Sequence, residues 1–308
     1  MSSSNGFFIN SHDNKRIYVY CWENVDKPKG IVQIFHGMAE HAGRYKDFAE
    51  FLNKKGYVVF ADDHRGHGKT EDDEKMLGVI GNDGFNKIIE DEYQILKLLI
   101  EKYSNLPIFI FGHSFGSFLA QEFLIRYGNE LNGVILCGSA AMTGPIVTLG
   151  RILTSLQRIF FGEQKKSRLM NTLSFGSYNK RIKNNKSKFA WLSTDENEVK
   201  KYEQDRLCGK IFSIGFYYYL FKAFQNLYKK ERLSLIPKDI PLLIISGQDD
   251  PVGEYGNLVK KLYKIYKDIG LLNVSLKLYP NKRHELLNEV DKKLIFNHII
   301  KWMQEAMK

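Results

Sequence analysis

Gly112-His113-Ser114-Phe115-Gly116 reads G-x-S-x-G, and this stretch with its flanks constrains the fold more than any other part of the chain. The apolar run Ile108-Phe109-Ile110-Phe111 leads straight into it, and Phe118, Leu119, Phe123 and Leu124 follow at intervals suited to a helix. Strand, tight turn, helix is the context that distinguishes a nucleophile elbow from a chance match in a loop. Such a turn is sharp and strained, so the serine needs small neighbours, and Gly112 and Gly116 supply them. Ser114 is therefore expected at the carboxyl edge of a sheet. There a helix N-terminus favours developing negative charge.

A serine hydroxyl attacks well only when a base takes its proton. In this architecture the chain order is Ser, then Asp or Glu, then His. Of eight histidines, only His284 and His298 follow Ser114. His298 lies in the terminal amphipathic stretch Leu294-Ile295-Phe296-Asn297-His298-Ile299-Ile300 and reads as structural. His284 follows the alternating run Val274–Tyr279 and the turn Pro280-Asn281-Lys282-Arg283, where a loop-borne base belongs. The acid is expected after the buried-strand signal Pro241–Ser246, in Gly247-Gln248-Asp249-Asp250-Pro251. Adjacent residues leaving a strand point different ways, so one aspartate faces His284 and the other caps the turn. Pro251 holds Asp250 extended, but spacing alone leaves both in play. The oxyanion needs two backbone N–H donors. Phe115, after the serine, is one; the loop His36-Gly37-Met38-Ala39-Glu40-His41, after the strand Gly30–Phe35, supplies Met38 as the other. Gly37 lets that loop approach the substrate closely. His36 and His41 lack a third ligand at metal spacing, so no metal site is read there.

The rest of the chain alternates strand and helix signals. A hairpin spans Gly6–Trp22 around His12-Asp13-Asn14; strands are expected at Ile31–Phe35, Tyr57–Ala61, Ile108–Phe111, Gly133–Cys137, Leu242–Ser246 and Val274–Leu278. Helices are expected at Tyr45–Lys54, Phe85–Lys102 and Asp291–Met307. This is an α/β pattern: a mostly parallel central sheet covered by helices on both faces. Residues 142–236 break the alternation and read as an inserted helical cap, between core segments 1–141 and 237–308. In the cap, Gly144-Pro145 opens a helix and Gly162 can end it. Its stripe Ile146, Leu149, Leu153, Leu156 and Phe160 is expected to pack on the cap's own core, the alternative being a membrane interface.

Charge is unevenly spread. Ten basic residues and one acid lie between Arg151 and Lys188, so most of the formal +10 sits there. Such an excess points to an anionic partner; a solvated lysine-rich face is the plain alternative. No groove-reading or base-stacking motif accompanies it, so an anionic lipid surface is favoured over nucleic acid. Three widely spaced cysteines argue for a reducing compartment, and Cys137 in its apolar run for a core position. The opening Met1-Ser2-Ser3-Ser4-Asn5 lacks the regions of a signal peptide, and no apolar run approaches membrane-spanning length. The reading is cytoplasmic, with peripheral membrane contact.

These motifs resemble the monoacylglycerol lipase and lysophospholipase group of α/β-hydrolases. The resemblance rests on His36–Tyr45, Asp62-Asp63-His64-Arg65-Gly66-His67-Gly68-Lys69-Thr70, the elbow, Leu207-Cys208-Gly209, Gly247–Val252 and Arg283-His284-Glu285. Thr70 departs from the serine usual there. The family's G-x-x-D turn assigns the acid to Asp250, and its oxyanion donors fall on Met38 and Phe115. It implies an α/β-hydrolase fold and a cofactor-independent serine hydrolase acting on esters of long-chain acyl lipids through an acyl-enzyme. A peptidase or amidase on the same fold, or a non-catalytic lipid binder, are the alternatives. Gly37 and His113, together with Phe212, Phe216 and Tyr219 of the aromatic stretch Phe212–Leu227, are expected to contact substrate.

Overall fold

The structure, a computed structural model, describes residues 5–183 and 186–308; the Met1–Ser4 stretch read above lies outside the described residues. Eight strands form one sheet: β1 (Asn5–Asn10), β2 (Arg16–Trp22), β3 (Gly30–Phe35), β4 (Tyr57–Asp63), β5 (Ile108–His113), β6 (Gly133–Cys137), β7 (Leu242–Gly247) and β8 (Val274–Tyr279). Their order is β1-β2-β4-β3-β5-β6-β7-β8. The N-terminal hairpin and the β2–β4 pair are antiparallel, and every later pair is parallel. Helices α1 (Lys46–Lys54), α2 (Gly84–Lys102) and α3 (Phe115–Tyr127) connect the strands in the first half. Between β6 and β7 come α4 (Pro145–Phe161), α5 (Arg168–Phe175), α6 (Glu196–Gln204), α7 (Ile214–Leu227) and α8 (Lys230–Leu233). The chain closes with α9 (Asn257–Asp268) and α10 (Lys292–Ala306).

The period-two alternation of strands divides the core into two layers. Ile31, Phe35, Ile108, Ile110, Val134 and Leu136 face one way, onto α2, α3 and α9. Val32, Ile34, Phe109, Phe111, Ile135 and Cys137 face the other, onto α1 and α10. The central strands are buried on both faces and read as near-continuous apolar runs, whereas β8 at the sheet edge alternates. Cys137 is fully buried, as its apolar run predicts.

The insertion corrects one expectation. The α4 stripe does not pack on the cap's core: Ile146 is 65% exposed, Leu149 51%, Leu156 48% and Phe160 74%, and only Leu153 is partly covered. Val147, Gly150 and Thr154 form the buried arc instead. Gly150 explains the choice. A Cβ there would lie 2.4 Å from the Phe221 ring, so α7 can approach α4 closely only along this arc. Ile152, Ile159 and Phe161 extend the exposed apolar surface. No helix among the described residues is long and apolar enough to cross a membrane.

Candidate active site

Ser114 sits between the end of β5 and the start of α3 with φ 50° and ψ −116°, outside the conformations that non-glycine residues normally adopt. The turn is fixed by Ser114 N–H donating to Cys137 O at 2.9 Å, and by Ser117 donating to Ser114 O from both its N–H (2.9 Å) and its Oγ (2.6 Å). The flanking glycines are sterically required. A Cβ on Gly112 would meet Gly116 O at 2.5 Å, and one on Gly116 would meet Phe35 O at 2.0 Å. Strained backbone held this firmly is characteristic of functional turns.

His284 and Asp250 come together from the loops after β8 and β7. His284 Nδ1 lies 2.9 Å from Asp250 Oδ2, and both side chains are buried. Asp250 is held in turn by Val252 N–H on Oδ1 (2.9 Å) and by Ser246 Oγ on Oδ2 (3.2 Å). Asp249 is exposed on the turn, its backbone N–H bonded to Lys282 O. With Nδ1 taken by the carboxylate, Nε2 of His284 is the nitrogen left for another partner. Burial works against the imidazolium, but the Asp250 carboxylate outweighs it and raises the His284 pKa. His113, beside it at 4.7 Å between rings, goes the other way: burial and the neighbouring His284 push it down to about 4.

The loop after β3 lies over Ser114. A Cβ on Gly37 would come 3.3 Å from Ser114 Cβ and 2.7 Å from Glu40 Oε1, so only glycine fits. Gly37 N–H donates to Glu40 Oε1 (2.6 Å), which also receives the Tyr45 hydroxyl (2.8 Å). Gly37 O lies 2.8 Å from Nδ1 of the buried His36. Beneath this loop Arg44 bridges Glu40 Oε2 (2.6 Å) and both carboxylate oxygens of Glu285 (2.7 Å each). Burial opposes the Glu285 carboxylate, but Arg44 prevails and brings its pKa down to about 2. Sequence reasoning did not single out this network, although Arg44 and Glu285 both stand inside motifs quoted above.

Met38, Phe115, Gly37, His113, Ser114 and His284 line one cavity of about 490 Å³. Its far wall comes from the insertion and is largely apolar, with Asn171, Asn179, Lys188 and Lys210 among its polar members. There the aromatic expectation is corrected: Tyr217, Leu220, Phe221 and Phe224 line the cavity, and Phe212, Phe216 and Tyr219 do not. The cause is helical phase. Phe216 packs on Phe115 at 5.0 Å, Phe212 on His67 at 4.9 Å, and the Tyr219 hydroxyl bonds to Asn82 and Glu163. Phe216 and Tyr219 of α7 are spent on those contacts, so the arc one residue on, rotated by about 100° round the helix, faces the cavity. The Tyr217 hydroxyl is buried there without a hydrogen-bond partner among the described residues.

The insertion also touches the histidine loop directly. His284 N–H donates to Trp191 O (3.4 Å) and Glu285 N–H to Leu192 O (2.7 Å). Arg283 Nη1 donates to Ala190 O (2.8 Å) and Ser193 O (2.9 Å), and Ser193 Oγ to Asn288 O (2.8 Å). The Trp191 ring stands 5.1 Å from that of His284. As for metal ligands, both ring nitrogens of His36 are engaged, one with Gly37 O and the other with His64 N–H. His41, Asp205 and Cys208 lie within reach of one another, as do Asp62, His64 and Glu92, and in each group the imidazole is engaged with a carboxylate.

The family model described as serine aminopeptidase, S33, matches residues 26–291. A monoglyceride lipase homolog of Monkeypox virus is 27% identical, with 96% of this chain and 97% of that protein aligned. The monoacylglycerol lipase of Mycolicibacterium smegmatis is 26% identical over 94% of this chain and 92% of its own length. Among solved structures, a highly thermostable carboxyl esterase from Bacillus coagulans, in complex with glycerol, matches with a TM-score of 0.92 at 30% identity, covering both chains completely.

Proposed function

Because this chain belongs to the serine aminopeptidase S33 family, we propose that it cleaves esters of long-chain acyl lipids, monoacylglycerols or lysophospholipids, through Ser114, His284 and Asp250. The fold is that of the α/β-hydrolases, and the chain is a carboxylic ester hydrolase like its relatives. One observation carries the finer reading: the strained serine and His284, paired behind with buried Asp250, line a single cavity whose far wall is largely apolar.

In the proposed reaction Ser114 Oγ attacks the ester carbonyl carbon while His284 Nε2 takes the hydroxyl proton. Met38 and Phe115 N–H groups hold the alkoxide that forms. Collapse breaks the ester C–O bond, and the leaving alkoxide takes the proton from His284. Water then attacks the acyl-enzyme, giving one proton to His284, and Ser114 leaves with it as the carboxylic acid forms. Asp250 keeps Nδ1–H pointing at itself, so Nε2 is basic when the serine needs it. No cofactor enters these steps. A series of monoacyl esters from short to long chain, run beside aminoacyl amides, tests the reading. Rising kcat/KM with chain length and negligible amide cleavage are expected, and preferential amide cleavage would assign a peptidase.

The exposed face of α4 and the basic residues around it support docking on an anionic membrane surface. An apolar helix face flanked by cations lies in a lipid interface, each nearby cation adding about 1 kcal/mol. Not every basic residue of the run is available. Lys166 is half-buried and donates to Leu77 O, whereas Lys165, Arg168, Lys180 and Lys183 are exposed. Replacing these four by glutamine is expected to weaken sedimentation with anionic vesicles, and high salt to mimic the change. Ile152→Glu with Ile159→Glu should weaken it at any salt concentration. Hydrolysis of a soluble short-chain ester stays unchanged in both. If the unaltered protein ignores anionic vesicles at low salt, the surface has another use.

A further inference from the structure

His36 is fully buried beneath the loop that carries Met38, and both its ring nitrogens are engaged. His64 backbone N–H donates to Nε2 at 3.0 Å. Nε2 is therefore an acceptor, and the proton of the neutral ring resides on Nδ1. Nδ1–H donates in turn to Gly37 O at 2.8 Å. The tautomer is fixed by a backbone amide, which cannot switch roles.

Gly37 C=O and Met38 N–H belong to one planar trans peptide, so they point in opposite directions. Holding the carbonyl down onto buried His36 turns the Met38 N–H up, toward the cavity that Met38 and Ser114 both line. That N–H makes no hydrogen bond of its own among the described residues. Glu40 grips the preceding peptide through Gly37 N–H, at 2.6 Å. The Gly37–Met38 unit could otherwise flip, because glycine permits most backbone angles. The His36 ring is itself braced: His64 stacks on it with centroids 3.9 Å apart, and His64 Nδ1 is anchored on Asp62 (3.0 Å) and Glu92 (3.2 Å).

We infer that His36 is a positioning residue, which sets the orientation of the Gly37–Met38 peptide and so keeps one of the two oxyanion donors aimed before substrate arrives. This rests on the proposed role of Met38. His36 touches no reacting atom, and its contribution lies in geometry fixed in advance of the reaction.

Two substitutions separate positioning from mere filling of the core. His36→Asn puts an amide N–H where Nδ1 stood and loses the acceptor for His64. His36→Gln puts an amide oxygen near the place of Nε2, keeping that acceptor, and loses the donor to Gly37 O. For the glutamine variant, kcat is expected to fall about 10²-fold, the scale of removing one oxyanion donor, with KM nearly unchanged. Affinity for a boronic acid that forms a tetrahedral adduct with Ser114 falls in parallel. The asparagine variant keeps kcat within a few-fold while its melting temperature drops. The reverse order of activities, or wild-type kcat in both, overturns the inference. Full activity of Ser114→Ala would remove the proposed mechanism and this inference together, whereas a dead Ser114→Ala beside an active His36→Gln removes only this one. If neither variant folds, the unaltered protein with ¹⁵N-labelled histidine decides. His36 must be neutral with its proton on Nδ1, and an Nε2–H tautomer overturns the inference.

Discussion

Ser114→Ala is expected to lower kcat on a long-chain monoacyl ester by about 10⁶-fold, leaving only the residual catalysis that binding and oxyanion donors give without a nucleophile. His284→Ala should cost a similar factor, and the double substitution little more, since groups that act as a unit are not additive. A fluorophosphonate probe should label the unaltered protein once, at Ser114. The elbow makes this selective: Ser117, one turn along α3, is buried and its hydroxyl is committed to Ser114 O and Ser139 Oγ. Labelling that persists in Ser114→Ala would discard the assignment.

Asp250→Asn is the second large effect, expected to lower kcat by about 10⁴-fold by favouring the wrong imidazole tautomer. Asp249→Asn should cost little, because that carboxylate is exposed and the turn is held by its backbone. The pH profile carries a second signature. His284 must be neutral to take a proton, and its pKa is raised, so the acid limb of kcat/KM lies above pH 6.5, the ordinary histidine value. Removing the Asp250 charge leaves burial opposed only by the smaller effects of Glu285 and Glu40 and moves that limb to lower pH. Equal losses in the two variants, or an acid limb that stays put in Asp250→Asn, would mean that Asp250 does not hold the base.

Much of this was legible in the chain because strand runs buried on both faces need no phase. Ile31–Phe35 is apolar but for Gln33 and Leu242–Ser246 but for its last residue, and each falls within a residue of an observed strand. The Ser, Asp, His order picked out residues that the fold brings together, Ser114 and His284 on one cavity and Asp250 against His284, because chain order in this fold is topology and topology follows from strand–helix alternation. Helices of the insertion were different. α4 and α7 carry apolar side chains round most of their circumference, so periodicity did not tell which arc would be covered. The answer lay in a single contact, Gly150 against Phe221, between residues 71 positions apart. That contact goes with the large side chains of α4 lying outside, and the packing of Phe216 on Phe115 leaves Tyr217 toward the cavity. Asp249 and Asp250 posed the same difficulty on a smaller scale. The pairing with His284 depends on how two loops meet, 34 residues apart in sequence.

The hydrogen bonds between residues 190–194 and the histidine loop limit how this molecule can breathe. A rigid swing of the whole insertion away from the sheet would pull Trp191 O and Leu192 O off the amides of His284 and Glu285 and strip Arg283 of its two carbonyl acceptors. It would loosen the loop that carries His284 as a ligand entered. A widening of the entrance that leaves this loop in place must therefore pivot elsewhere, with 190–194 staying behind as a fixed sill and α4 travelling as the door. Gly144 and Gly162, at the two ends of α4 with φ of 89° and 77° and open space around them, are where such a door would hang.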